Sequence, residues 1–152
     1  MNIEIIAVGR MKKSPEGEIL ETYIKRCPWP IKITEVEESR PIKGTERMAR
    51  EGHLILNAIP KGATVIALDE RGKEMRSTSF ADKIRNYQDQ GLTNLVFLIG
   101  GADGYDPKVK EQAQLKMSFG QLTWPHMMVR AMLVEQLYRA STILQGHPYH
   151  KD

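Results

Sequence analysis

Hydrophobic and polar positions along the chain follow two different spacings, which predict strands alternating with helices. Uninterrupted apolar runs at 64–68 and 95–99 are typical of central parallel strands, because helices cover both faces of such strands. Strict alternation at 31–36 predicts a half-exposed strand, and the apolar run at 3–8 predicts the first strand of the fold. Strands that alternate with helices in this way indicate an α/β fold with a parallel sheet.

The helices are predicted from apolar residues spaced three or four apart and from the signals at their ends. The first begins at Ser14 and Pro15, a cap residue followed by a first-turn proline. The third is assigned a capping box of Ser79 with Asp82, and Gly91 marks its end. The same reasoning places the remaining elements as a helix within 45–59, a short helix near 107–114, a short strand over 115–119 and a last helix over 125–145.

The last helix is the least ordinary element, since its apolar residues surround most of its circumference. Between His126 and Leu144, 12 of 19 residues are apolar, whereas a lone surface helix shows a single apolar stripe. We therefore expect the sheet to cover one side and a second copy of the chain to cover another, which predicts a homodimer. Glu135 and Arg139 are spaced to pair with each other, whereas Arg130 needs a partner elsewhere.

Composition narrows the class of protein. The chain of 152 residues carries 41% hydrophobic and 27% charged residues, which predicts a single globular domain over 1–152. A single cysteine, Cys27, excludes an intrachain disulfide and favours a reducing, cytoplasmic location. No apolar run reaches the roughly 18 residues of a membrane helix, so we expect no membrane association. A net charge of +3 permits a polyanionic partner without requiring one.

Three segments follow strands at the edge of the sheet where open α/β folds bind ligands. The first is the glycine-rich turn 98–104, the second is the polar segment 68–72, and the third is the loop 118–125. Their glycines allow a ligand to approach the main chain, although each segment also has an ordinary interpretation as a turn. The P-loop and the Gly-x-Gly-x-x-Gly fingerprint are both absent, which argues against a nucleotide-phosphate site.

The carboxyl-terminal tail and one basic cluster are candidates for binding nucleic acid. The tail places Tyr149 and His150 where they can stack on a base, and His147 lies just before them. A metal site there is disfavoured, since no cysteine or carboxylate cluster completes the ligand set, and we expect no metal. The basic residues Arg40, Lys43, Arg47 and Arg50 fit either an RNA contact or a solvated helix face.

Several motifs, taken together, resemble those of the ribosomal RNA large-subunit methyltransferase H family of the SPOUT class. The match extends over essentially the whole chain and in the same motif order. The motifs are Ile6-Ala7-Val8-Gly9, Leu68-Asp69, Leu98-Ile99-Gly100-Gly101-x-x-Gly104, Thr123-Trp124-Pro125-His126, Val129-Arg130, Glu135-Gln136-Leu137-Tyr138-Arg139-Ala140 and His147-Pro148-Tyr149-His150. The last helix and the tail are the specific part of this resemblance.

The resemblance implies a fold, a reaction and a set of site residues. The fold is an α/β sheet with a deep trefoil knot in its carboxyl-terminal part, a rare exception to the rule that chains avoid knots. The reaction is methylation of the N3 atom of a pseudouridine in 23S ribosomal RNA, within the ribosome, by a homodimer that uses S-adenosylmethionine. The cofactor site would comprise Leu68, Gly100, Phe119, Gly120, Gln121, Leu122, Thr123 and Trp124.

The remaining roles are hypotheses about individual side chains. We expect the tail to recognise the base, with Arg130 and Arg139 supporting His147, Tyr149 and His150 at the RNA. His126, Glu135 and His150 are candidate general bases, and no catalytic residue is chosen among them. The main alternative function is a ribosome-associated α/β binding protein without activity. An oxidoreductase and a metal-dependent hydrolase are weaker alternatives.

Overall fold

The computed structural model describes residues 1–151 as five strands and five helices that alternate along the chain. In chain order the elements are β1 (Asn2–Val8), α1 (Pro15–Arg26), β2 (Ile31–Val36), α2 (Gly44–Ala58), β3 (Thr64–Glu74), α3 (Ser77–Asp89), β4 (Asn94–Ile99), α4 (Pro107–Gln112), β5 (Leu115–Ser118) and α5 (His126–Gln145).

The five strands form one sheet in which every pairing is parallel. Their order is β2-β1-β4-β3-β5. After β4 the chain therefore crosses over β3, and β5 pairs with the far side of β3 at the edge of the sheet. Because all strands run in the same direction, their carboxyl ends meet at one edge of the sheet. The predicted α/β fold with a parallel sheet is confirmed; the trefoil knot stays a prediction.

Alternating side chains of the strands form one core on each face of the sheet. Ile5, Phe97 and Leu133 belong to the core under α1, α3 and α5. Ile6 and Leu98 belong to the opposite core, under α2 and α4. Both faces of β1, β3 and β4 are thus buried, which explains why the runs at 64–68 and 95–99 are continuously apolar.

The structure confirms most predicted element ends and corrects two of them. Ser14 caps α1, since its hydroxyl accepts a hydrogen bond from the Gly17 amide at 3.2 Å. The predicted capping box of Ser79 with Asp82 is wrong, because α3 begins earlier, after Arg76, and has no side-chain cap. Gly91 does follow the end of that helix, with a φ of +79°.

The polar segment after Leu68 is also different from the predicted turn. Strand β3 continues to Glu74, with an irregular register between Leu68 and Lys73 where it pairs with β5. A Cβ atom at Gly72 would lie 2.7 Å from the main chain of Lys116, so only glycine permits this close approach of the two strands.

Helix α5 is covered by its own chain more fully than its sequence predicts. It packs against α1 and α3 as well as against β4, so the sheet and two helices account for most of its apolar circumference. A smaller apolar surface remains at its first turns, where Met128 is 38% exposed beside α1. Within residues 1–151, no helix has the length and apolar character needed to span a membrane.

Candidate functional site

A cavity of about 660 Å³ lies at the carboxyl edge of the sheet. Three chain segments surround it: the end of β3 at 68–71, the glycine turn 99–105 after β4, and the loop between β5 and α5. The first turn of α5 closes the cavity with His126 and Val129. The three segments singled out by sequence are therefore brought together around one opening.

The residues expected to bind a cofactor lie in this cavity with one exception. Seven of them line it, namely Leu68, Gly100, Phe119, Gly120, Leu122, Thr123 and Trp124. Gln121 does not contribute to the wall, and it is exposed. Leu122 and Trp124 are 72% and 38% exposed, so two large apolar side chains stand at the rim without being covered.

Hydrogen bonds around Ser118 fix the loop between β5 and α5. The buried Ser118 hydroxyl accepts a hydrogen bond from the Gly120 amide at 3.0 Å and lies 3.1 Å from the Glu70 carbonyl. Gly120 has a φ of +114°, a conformation that L side chains rarely adopt. The Thr123 hydroxyl donates to the Glu70 carboxylate at 2.8 Å, which joins the loop to β3. Through these contacts Glu70 holds the loop in place at the edge of the cavity.

Tyr105 is buried beneath the glycine turn, and its hydroxyl joins the ends of two strands. The hydroxyl accepts a hydrogen bond from the Gly100 amide at 3.0 Å. Its proton is shared between two acceptors, the Leu68 carbonyl at 2.9 Å and the Leu98 carbonyl at 2.7 Å. Burial raises the pKa of Tyr105 far above its ordinary value, so the phenol keeps that proton.

Two buried polar atoms near the cavity, one on Glu51 and one on His126, have no hydrogen-bond partner. Glu51 is 3% exposed, and its Oε2 atom accepts a hydrogen bond from Arg47 at 3.1 Å while Oε1 has no partner. Burial raises the pKa of Glu51, and Arg47 and His126 oppose this rise. A Cβ atom at Gly101 would lie 2.9 Å from Oε1, so the absent side chain makes room for this carboxyl. The Nδ1 atom of His126 is the second unpartnered group.

Arg130 is fully buried, with 0% of its surface exposed. Its guanidinium donates to the Glu35 carboxylate at 2.6 Å and to the carbonyls of Val8 and Gly9 at 3.1 and 2.8 Å. Burial raises the pKa of Glu35, but hydrogen bonds from the Met11 amide and Arg130 outweigh burial and lower it overall. Arg130 therefore fastens α5 to β1 and β2, and in this position it cannot contact RNA as predicted.

The tail folds back along α5 and forms a polar and aromatic cluster with it. The Tyr149 hydroxyl donates to the Glu135 carboxylate at 3.0 Å and lies 3.3 Å from the Tyr23 hydroxyl on α1. Arg139 binds the same carboxylate at 2.6 Å, and its guanidinium carbon lies 4.8 Å from the centre of the Tyr149 ring. An Arg139 nitrogen is 3.1 Å from His150 Nδ1. We call these residues, Tyr23, Glu135, Arg139, Tyr149 and His150, the tail cluster.

The cavity lies at the first turn of α5, whereas the tail cluster contacts its middle and its second half. His126 lines the cavity, and Arg139 follows it 13 residues later on the same helix. At 1.5 Å per residue this places the two about 20 Å apart along the helix axis. His147 is exposed, and its Nδ1 atom accepts a hydrogen bond from the Tyr149 amide at 3.1 Å. Arg139 therefore does not reach the His126 side of the cavity in its own chain.

The basic cluster at 40–50 is largely neutralised by neighbouring carboxylates. Arg40 and Arg50 both bind the Glu38 carboxylate, at 3.0 and 3.3 Å, and Arg47 binds Glu51. Hydrogen bonds from Arg40 lower the pKa of Glu38 to about 2. Of the two interpretations left open by sequence, these pairs favour a structural face over an RNA contact. Residues 1–151 contain no group of three or more histidine, cysteine or carboxylate side chains arranged to hold a metal ion.

Comparisons with known proteins agree over the full length of the chain. A family model described as "Predicted SPOUT methyltransferase" matches residues 1–150. A protein of Paramagnetospirillum magneticum named "Ribosomal RNA large subunit methyltransferase H" is 49% identical over 151 residues, which cover 99% of each chain. A protein of the same name from Zymomonas mobilis is 47% identical over 152 residues, covering 100% of this chain and 99% of that one.

A solved structure supports the fold independently of sequence. The structure of a probable methylase family protein from Haemophilus influenzae aligns with a TM-score of 0.58 at 11% sequence identity. The alignment covers 99% of this chain and 71% of the other. At this level of identity the likeness concerns the fold alone.

Proposed function

Because the chain belongs to the SPOUT methyltransferase family, we propose that it methylates large-subunit ribosomal RNA, with S-adenosylmethionine as donor and the N3 atom of a pseudouridine as acceptor. The observation that carries the proposal is the convergence of three chain segments on one cavity at the carboxyl edge of the sheet. Relatives that match the whole chain bear the corresponding name. The enzyme would act in the cytoplasm, where its ribosomal substrate is found.

The cavity fits a cofactor of this size and chemistry. Its volume of about 660 Å³ falls within the range of small-molecule sites, roughly 300–1,000 Å³. Leu68, Val129 and Trp124 supply apolar walls, and the glycine turn after β4 exposes main-chain groups that recognise polar parts of a ligand. Recognition by main-chain atoms is consistent with glycine at 100, 101, 104 and 120.

The contribution of the chain to the reaction is mainly alignment. When bound, S-adenosylmethionine supplies a methyl group on a positively charged sulfur, and that charge disperses during transfer. The apolar walls exclude water, which favours dispersal of charge. Holding the two reactants in line contributes roughly 7–11 kcal/mol. The acceptor nitrogen must also lose its proton. Of the three candidate general bases, His126 lies at the cavity, whereas Glu135 and His150 lie in the tail cluster.

The RNA side of the site is assigned to the tail cluster. Arg139, Tyr149 and His150 combine a cation, an aromatic ring and an imidazole, which suit contact with a base and its phosphate. His147 is exposed at the start of the tail. Because Arg139 lies about 20 Å along α5 from His126 of the same chain, a complete site would take its tail cluster from a second copy whose α5 runs in the opposite direction.

An apolar groove between α1 and α5 is the surface proposed to join two copies. It encloses about 420 Å³ and is lined by Ile19, Met128, Met132 and Glu135 among others. Ile19 and Met128 are 48% and 38% exposed there, although both are large and apolar. Sedimentation should show a dimer for the natural chain and a monomer for Ile19→Glu. Thr22→Glu places the same charge on an exposed position of α1 outside the groove and should stay dimeric.

The function is tested by mass spectrometry of ribosomal RNA from cells with and without the gene. We expect one pseudouridine of the large-subunit RNA to lose one methyl group in the deletion strain and to regain it when the gene is restored. Calorimetry with purified protein should show binding of S-adenosylmethionine. Folded protein that binds no cofactor, together with unchanged RNA, would instead support the ribosome-associated binding protein.

A further inference from the structure

The hydroxyl of Tyr105 lies where the hydrogen bonding between β3 and β4 ends. The last residue pair of these strands is Leu68 with Ile99. At the corresponding end of β1 and β2, the next residue, Gly9, donates directly to the Val36 carbonyl at 2.8 Å. On β3 and β4 the next residue is Gly100, and its amide donates to the Tyr105 hydroxyl at 3.0 Å. The hydroxyl oxygen in turn lies 2.9 Å from the Leu68 carbonyl.

A side-chain oxygen therefore stands between an amide and a carbonyl that would otherwise bond directly. Two hydrogen bonds in series hold the Gly100 nitrogen and the Leu68 oxygen farther apart than one hydrogen bond does. Both residues line the cavity, so this separation sets the width of the cavity between the two strand ends. A Cβ atom at Gly100 would lie 3.1 Å from the Tyr105 ring, so glycine allows the ring to pass beneath the turn.

We propose that Tyr105 is a positioning residue that sets the spacing of Leu68 and Gly100 for cofactor binding. This inference rests on the proposed function, since it assigns the cavity to S-adenosylmethionine. Tyr105 acts through the main chain of Leu68 and Gly100, the two residues that its hydroxyl contacts at the cavity. Its phenol is suited to this role because it accepts from the Gly100 amide and lies within donating distance of carbonyls on both strands, at Leu68 and Leu98, which an apolar side chain or one that only donates does not do.

Tyr105→Phe removes the oxygen and keeps the ring. We expect the Gly100 amide to bond directly to the Leu68 carbonyl, which a crystal structure of the variant would show as a nitrogen–oxygen distance near 3 Å. The narrower cavity should weaken S-adenosylmethionine binding about tenfold in calorimetry, as for the loss of one well-placed hydrogen bond. In steady-state kinetics the KM for the cofactor should rise more than kcat falls.

Tyr87→Phe is the matched control. Tyr87 is also 8% exposed, but it lies on α3 away from the cavity, so its variant should bind the cofactor like the natural chain. Hydrogen exchange of the natural protein supplies a readout that needs no variant. The Gly100 amide should be protected before any cofactor is added, because the buried hydroxyl accepts its proton.

The outcomes separate this inference from the proposed function. Natural protein that binds no S-adenosylmethionine overturns both. Natural protein that binds it, with equal affinity in Tyr105→Phe, overturns the role of Tyr105 alone. Rapid exchange of the Gly100 amide in the free natural protein also overturns it, even if Tyr105→Phe fails to fold. Equal weakening in both phenylalanine variants would show a general effect of stability instead of positioning.

Discussion

Arg130 illustrates how one side chain can determine the placement of a helix. A buried guanidinium is costly unless its donors are satisfied and its charge is paired. Here it bonds one carboxylate and two carbonyls, which belong to β2 and to the end of β1. Only its Nε atom has no partner. Since Arg130 lies one turn after His126, it also fixes the part of α5 that closes the cavity.

Replacing Arg130 by methionine should destabilise the protein by about 3 kcal/mol. The change removes the pairing of Glu35 and leaves the Val8 and Gly9 carbonyls without these donors. Urea unfolding followed by circular dichroism measures the loss. Arg85→Met is the control, because Arg85 is half exposed and 3.9 Å from Asp82, and it should cost under about 0.5 kcal/mol. Similar losses in the two variants would contradict the role given to Arg130.

Glu51 should make stability depend on pH in the opposite direction to most carboxylates. Burial raises its pKa in the folded protein above the ordinary value of 4.5, so the unfolded chain releases this proton first as pH rises. The contribution of Glu51 to stability is therefore fully present below about pH 4.5 and is lost as the pH rises above that value. Glu51→Gln removes this pH-dependent loss. Between pH 4.5 and 7 the Tm of the variant should therefore gain roughly 2–4 °C relative to the Tm of the natural chain.

Glu46→Gln is the matched control for this pH effect, since Glu46 is an exposed carboxylate on the same helix. Its Tm should follow the natural chain across the same pH range. An identical pH profile for Glu51→Gln would show that the carboxyl at position 51 is ionised equally easily in both states.

The sequence indicated the cavity residues better than it indicated the side chains that support them. Seven of the eight cofactor residues that the family resemblance implies line the cavity, and they lie in the segments that follow strand ends. Tyr105 and Glu51 carry no such signal, since Tyr105 bonds the Leu68 carbonyl 37 positions away and Glu51 fits against the distant Gly101. Arg130 was correctly expected to need a partner, but its acceptors lie more than 90 positions away and no local pattern identifies them.

At the scale of elements, the sequence predicts a helix end correctly where the cap is a hydrogen bond between residues close together in the chain. Ser14 and Asp106 both cap helices through hydrogen bonds to amides two or three residues later. Helix α3 has no such cap, so the capping box predicted at Ser79 is wrong, although the apolar spacing correctly predicts the helix. The continuation of β3 to Glu74 depends on pairing with β5, a long-range contact that the polar residues 69–74 do not reveal.

The loop between β5 and α5 is tested by Gly120→Ala. At a φ of +114° an alanine is strained, so the loop should shift and S-adenosylmethionine should bind at least fivefold more weakly in calorimetry. Gly62→Ala introduces comparable strain at a φ of +80° in a turn that does not line the cavity. It should lower Tm to a similar extent and leave cofactor affinity unchanged. Unchanged affinity in Gly120→Ala would remove the loop from the cofactor site.

At the scale of the whole molecule, the order of the strands and the position of the tail are the features that local patterns leave undetermined. A repeating strand and helix pattern fits several strand orders, and only packing selects β2-β1-β4-β3-β5. The apolar circumference of α5 predicted a second copy, yet α1 and α3 of the same chain cover most of it. The features that favour a dimer are therefore the exposed groove and the distance of Arg139 from the His126 side of the cavity.

If each site combines the cavity of one copy with the tail cluster of its partner, two impaired variants should restore activity when mixed and assayed at a cofactor concentration well below saturation. Gly120→Ala would impair only the cavity, and Arg139→Ala would impair only the tail cluster. Unfolding and refolding an equal mixture gives about half mixed dimers, and each of these holds one site with both natural halves. About a quarter of all sites should therefore be active, measured as methyl transfer to ribosomes. Sites built within one copy would instead give no recovery above the two parent variants.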